Sequence, residues 1–212
     1  MKKIKEVSWN VTKDGEQQRH TREIYEDGDR IIKKIIGDTH AEHIDGWWLE
    51  KYTEFTKEYN ITPEIYDFEP SPNMTIVMKK FSGLDMCRYV YLCHKANNQT
   101  YGTNKSVFLK CFHIFKTIQF NFSDFSNKKN LFCFHRDLHA RNILIGEDGS
   151  FNLIDIDELV FTLYLESYLI NHDPFSIYTT AVERWLRDEY SRCTSCNRRW
   201  GSGTPAGSNR AK

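Results

Sequence analysis

Near the start of the chain the apolar positions are short and β-branched or aromatic. IKEVSW (4–9), TREIYE (21–26) and RIIKKII (30–36) read as strands. Asp27-Gly28 separates the last two and is a strong hairpin signal, so three antiparallel strands are the simplest prediction. In HAEHIDGWWLEKYTEFTKEYN the spacing changes. Trp48, Leu49, Tyr52, Phe55 and Tyr59 recur three and four apart, which predicts a helix with one buried face. Gly46 costs such a helix about 1 kcal/mol relative to alanine. Past Pro63, ITPEIYDF and MTIVMKKF return to strand character, joined by the turn EPSPN.

From Leu84 the pattern is helical again. SVFLKCFHIFKTIQFNFSDF places Val107, Phe108, Cys111, Phe112, Phe115, Ile118 and Phe122 on one side of a long buried helix. The next stretch, CFHRDLHARNILIGEDGSFNLIDID, is an apolar run, a charged loop, a strand, the tight turn GEDGS and a second strand ending in carboxylates. If the two strands form a hairpin, the loop before one and the acids after the other emerge at one edge, which brings Asp137, Asn142 and Asp155 together. Two carboxylates and an amide facing one cleft suit Mg²⁺, which prefers a few oxygen ligands plus waters and substrate phosphates. A carboxylate able to reach a hydroxyl proton completes a phosphoryl-transfer site, where the protein mostly positions groups and offsets charge. DELVFTLYLESYLI and SIYTTAVERWLRDEY then predict a helical tail, and GSGTPAGSNRAK at the end predicts disorder.

Composition narrows the classes of function. With 212 residues, 40% of them hydrophobic, the chain can bury a real core as one domain or two small lobes sharing a cleft. Lys plus Arg equals Asp plus Glu at 29 each, so no net field attracts nucleic acid or an anionic membrane, and any anion site must be local. The RRW patch at Arg198 to Trp200 is all that favours nucleic acid. No stretch approaches the roughly 18 apolar residues of a membrane span, and the N-terminus has no apolar leader segment, which predicts a soluble, cytoplasmic protein. The six cysteines show no framework spacing, so reduced thiols are expected. Cys193 and Cys196 form a CxxC, but a zinc site needs two further ligands and none lies nearby.

His135-Arg136-Asp137, then Asn142, a hairpin and the strand-end Asp155 resemble the catalytic loop and metal-binding aspartate of the protein-kinase-like superfamily. The match is close over 133–157 and loose over roughly 4–190. It implies an α+β, bilobal kinase-like fold: an antiparallel-sheet lobe with one helix over 1–82, a shortened, mainly helical lobe over 83–192, and a tail over 193–212. It further implies an ATP- and Mg²⁺-dependent kinase with a hydroxyl-bearing acceptor. Asp137 would take or orient the acceptor hydroxyl, Asn142 and Asp155 would hold magnesium, and His135 and Arg136 would support the loop. RIIKKII resembles the strand whose lysine pairs the α- and β-phosphates. Lys33 or Lys34 could serve, since both faces carry isoleucines, and the apolar-apolar-lysine order of the family favours Lys33. The helix would supply an acid to that lysine, with Asp45 placed best and Glu50 and Glu42 next; the bland alternative is a solvated helix face. MTIVMKKFSG resembles the strand and hinge where adenine docks, with backbone groups of Lys79 to Phe81 as hydrogen-bonding partners and Ile76 and Met78 lining the pocket. Asp173-Pro-Phe-Ser176 resembles the aspartate that braces the catalytic loop.

The departures are equally specific. NVTKDGEQQR holds one glycine in place of GxGxxG, so phosphate cradling by backbone N–H groups is not assured. Asp-Phe-Gly is here Asp155-Ile156-Asp157, and little chain separates Asp155 from Asp173, which leaves small room for an activation loop. LIDID and His139 are closer to the aminoglycoside- and choline-kinase branch, whereas HRDL with Arg136 resembles protein kinases. The rival reading is a pseudokinase, which would bind nucleotide or a partner without transferring phosphate and would tolerate loss of Asp137.

Overall fold

The computed structural model describes residues 1–13, 16–37, 44–70, 73–96 and 101–163. Five strands form the first sheet: β1 (Lys2–Lys13), β2 (Glu16–Asp27), β3 (Arg30–Ile36), β4 (Ile65–Glu69) and β5 (Asn73–Lys79), in the order β1-β2-β3-β5-β4, all antiparallel. The β2–β3 turn is the one that Asp27-Gly28 predicts, and Gly28 supplies the positive φ of +62° that it needs. Helix α1 (Gly46–Tyr59) lies between β3 and β4 in the chain. Gly46 is its first residue, directly after the N-cap Asp45, so it weakens no interior turn.

Past β5, a short strand β6 (Leu84–Asp85) leads into α2 (Met86–Ala96) and α3 (Tyr101–Lys129). Then come β7 (Phe132–His135), β8 (Ile143–Ile145), β9 (Phe151–Leu153) and β10 (Leu159–Thr162). β8 and β9 form the expected hairpin, with Ile143 opposite Leu153, and β6 extends it into a three-stranded sheet. Gly83 lets the chain pass close to that sheet: a Cβ there would lie 2.7 Å from the Ile145 carbonyl oxygen. The fold is α+β, with antiparallel sheets and three helices among the described residues.

The stretch from Asp157 departs from its predicted helix. Ile156–Glu158 is a 3₁₀ turn, and Leu159–Thr162 pairs with β7 as a strand, Leu159 opposite His135. Three consecutive apolar residues, Leu159, Val160 and Phe161, are buried, as suits a strand covered on both faces. The rest of the predicted helical tail, Asp173, Ser176, the CxxC and the RRW patch lie outside the described residues.

One aromatic core joins the helices. Phe55 of α1 packs against Phe122 and Phe125 of α3, with ring centroids 5.6 and 5.3 Å apart, and Phe161 of β10 lies 5.8 Å from Phe125. Trp48 is fully buried and donates from Nε1 to the Leu159 carbonyl oxygen at 2.8 Å, which ties α1 to β10. On α3 the predicted stripe is buried except at Phe112, which turns outward under the Lys116 ammonium; Ile114 and Phe125 complete the buried face. Among the described residues no helix is long and apolar enough to cross a membrane.

Candidate active site

The loop between β7 and β8 is built around His135. Its ring is buried, and the Asp137 backbone N–H donates to Nδ1 at 3.2 Å, so Nε2 carries the proton and donates to the Ile154 carbonyl oxygen at 3.1 Å. Burial pushes the imidazole below its ordinary pKa despite that hydrogen bond and the nearby carboxylates. Asn142 is buried at the end of a 3₁₀ turn; its Nδ2 donates to the Asp137 carbonyl oxygen at 2.9 Å, and its own carbonyl accepts from Ile154 N–H at 2.9 Å. Those two bonds lock the loop to the strand leading to Asp155. Asp137 itself points outward, its side chain 53% exposed and 3.4 Å from His139 Nε2.

Asp155 stands just past β9 with φ +58°, and this left-handed turn presents its carboxylate to β3. Lys33 Nζ meets Asp155 Oδ1 at 2.7 Å and also contacts Asp157 Oδ1. Burial raises the Asp155 pKa, but the Lys33 charge and hydrogen bond, helped by Arg22, outweigh it and hold the group at about 2.

Register puts the two lysines on opposite faces of the sheet. Lys33 is opposite Ile24 and Ile76 and lies on the inner face with Ile35, only 2% exposed; Lys34 is on the other face, over the Tyr25 ring. The helix acids do not meet Lys33. Asp45 accepts from Trp48 N–H at 2.8 Å as the helix cap, and Glu50 pairs with Lys51 at 2.8 Å on the exposed face. The reason is geometric: the face of α1 turned inward is Trp48, Tyr52 and Phe55, and neither acid shares it. Glu42 lies outside the described residues.

Asp157 meets Lys33 beside Asp155. Its side chain is 3% exposed, with Lys33 on Oδ1 and Arg22 Nη2 on Oδ2 at 3.0 Å. Arg22 also reaches Glu158 at 3.4 Å, and Arg136 pairs with Glu158 at 3.0 Å. Desolvation works against the Arg22 charge, but Asp157 and Asp155 outweigh it and raise its pKa. The sequence reading missed Arg22. Its signal is the period of two along β2, because Arg22 shares a face with Ile24, which stands opposite Lys33.

A pocket of about 270 Å³ connects these groups to the chain after β5. Met78, Lys79, Lys80 and Phe81 line it together with Leu144, Ile154, Lys33 and Asp155. Ile24 and Ile31 line it from the sheet, and Lys80 is tied to Glu26 by a 2.5 Å ion pair. Ile76 does not line it; that side chain is fully buried in the core. The lining is largely aliphatic, with charge at the Lys33–Asp155 end, at Lys79 and at the Glu26–Lys80 pair, the mix of apolar wall and few polar groups usual in small-molecule sites.

Among the described residues no three His, Cys, Asp or Glu side chains converge as a metal cluster. Magnesium asks for less, since it keeps several waters. Asn142 commits Nδ2 to the loop and has Oδ1 to offer; Asp155 commits Oδ1 to Lys33 and has Oδ2 to offer. That donor set fits Mg²⁺.

No family model matches this chain. No curated protein matches it either. Among solved structures it is similar to WbdD, in a co-crystal structure with the kinase inhibitor LY294002, at 14% identity and a TM-score of 0.37. The similarity covers 87% of this chain and 47% of that one, so the chain spans about half the length of WbdD.

Proposed function

We propose that the chain is an ATP-dependent phosphotransferase of kinase-like, bilobal build, acting on a hydroxyl of a protein or small molecule. One observation carries the reading: the buried Lys33 meets Asp155 at 2.7 Å at one end of a pocket whose lining also includes Met78–Phe81, with Asn142 locked beside the Asp137 loop. In this reading the adenine ring lies between the sheet and Leu144 and Ile154, with backbone groups of Lys79 to Phe81 at its edge. Lys33 faces the phosphates. Asn142 and Asp155 hold Mg²⁺, which offsets charge on the phosphate oxygens when bound. Asp137, exposed at the loop tip, takes the acceptor's hydroxyl proton as the new P–O bond forms and the β–γ bridging bond breaks, releasing ADP.

A second reading, nucleotide binding without transfer, is favoured by one feature: Lys33 occupies an oxygen of Asp155, so the cationic and anionic groups neutralise one another. A thermal-shift and transfer screen separates the two. It offers ATP and GTP with protein, aminoglycoside, choline and sugar acceptors. The phosphotransferase reading predicts a nucleotide-dependent rise in Tm, from a stabilisation of roughly 2.7 kcal/mol at a hundredfold excess over Kd, and labelled phosphate on at least one acceptor class. A shift without transfer to any acceptor supports the binding module; neither shift nor transfer contradicts both.

A further inference from the structure

Lys33 is almost completely buried, and a buried ammonium is costly unless it is paired. Two carboxylates meet it, from Asp155 and Asp157. With Asp155 Oδ2 given to the metal in the phosphotransferase reading, the Asp155 charge is shared between metal and Lys33, and Asp157 supplies the rest of the counter-charge. Its geometry suits that duty. Each of its oxygens faces one cation, Lys33 on one side and Arg22 on the other. The Arg22 guanidinium is braced in turn, lying 5.7 Å from the Trp9 ring centroid and 3.4 Å from Glu158. Arg136 donates to the Asp157 carbonyl oxygen at 3.4 Å and holds Glu158 at 3.0 Å, so backbone and side chain of the turn are both clamped.

We infer that Asp157 is the positioning residue for Lys33, held in place by Arg22, and that it does the work for which the helix offers no acid. The inference rests on the phosphotransferase reading for its consequence, but on side-chain contacts for its substance. The lysine's partner and the metal-binding aspartate come from one short turn, so the two ends of the phosphate site are assembled together. The site therefore forms without any inward movement of α1, whose Trp48 is already anchored to β10.

A double-mutant cycle tests this in the full chain, with Lys33→Met and Asp157→Asn made singly and together. Asp157→Asn is expected to lower kcat about 100-fold, the scale of a misplaced positioning group, while KM for Mg-ATP changes far less. Adding it to Lys33→Met is expected to change turnover by less than about twofold, because a residue that acts only through Lys33 has nothing left to act on. Asp157→Glu should recover part of the loss. Multiplicative effects in the double variant would overturn the inference, since Asp157 would then act on substrate or metal directly. If Asp157→Asn does not fold, Arg22→Gln replaces it, with the same expected silence in the Lys33→Met background. Should the wild-type chain transfer no phosphate, the phosphotransferase reading falls by itself. The same cycle read on thermal unfolding without nucleotide then decides the positioning role: coupled shifts support it and additive shifts overturn it.

Discussion

At the scale of single residues, the site depends on groups whose surroundings fix their chemistry. His135 is the clearest. Burial holds its folded pKa below the ordinary 6.5, so above pH 6.5 the ring is neutral in folded and unfolded chains alike. Below that value the unfolded chain takes up a proton that the folded chain refuses. Stability is therefore present above pH 6.5 and is lost as pH falls toward the folded pKa, with a slope of at most about 1.4 kcal/mol per pH unit. Urea unfolding between pH 7 and 5 should show that slope in the wild type and a flatter one in His135→Gln. Asp155 adds a second, more acidic window: its pKa of about 2 lies below the ordinary 3.8, so its contribution is intact above about pH 4 and is lost between there and 2. The hairpin that carries these residues was legible in the sequence. Asp137, Asn142 and Asp155 follow from one hairpin, because a tight turn between two apolar strands leaves few places for their ends. The period of two left Lys33 and Lys34 open, since isoleucines flank both; the family's apolar-apolar-lysine order favoured Lys33, the lysine that pairing with β5 places on the inner face.

At the scale of elements, α1 shows what local spacing can and cannot decide. Its apolar period gave the buried face correctly at Trp48, Tyr52 and Phe55, yet its acids were assigned a partner they do not have. Asp45 looked suitable by position along the chain, whereas its backbone is extended and its carboxylate caps the helix instead. Asp45→Ala should therefore cost about 1 kcal/mol in stability and leave Mg-ATP turnover within about twofold; Glu50→Ala should be silent in both. A loss of turnover in either variant with folding intact would restore the helix-acid assignment. The strand β10 was misread for a different reason. Its partner β7 is distant in sequence, and a short apolar run gives no period by which to tell strand from helix. Trp48 connects these two elements. Trp48→Phe keeps an aromatic side chain but loses part of the buried indole and with it the donor to Leu159, leaving a buried carbonyl unmet; the lost hydrogen bond alone is expected to cost about 1–3 kcal/mol in chemical denaturation, and the lost volume adds to it.

At the scale of the whole molecule, one core runs from α1 through α3 to β10, and the pocket lies where the five-stranded sheet meets the β8–β9 hairpin. This arrangement explains why the charged cluster escaped the sequence reading. Arg22, Lys33 and Asp157 belong to three separate segments, and only the folded chain places them within one ion-pair network. It also separates two functions that a variant can dissociate. In the proposed function the pocket and Lys33 would concern nucleotide, while Asp137 stands exposed at the loop tip, where an acceptor would arrive. The most direct measurement compares wild type and Asp137→Ala for Mg-ATP binding by thermal shift and for phosphate release or transfer from labelled ATP. The account predicts equal Tm shifts for the two proteins and a fall in turnover of roughly 10²- to 10⁴-fold in the variant, the range of a lost general base. Equal turnover in both proteins, or no Mg-ATP shift in the wild type, would contradict it.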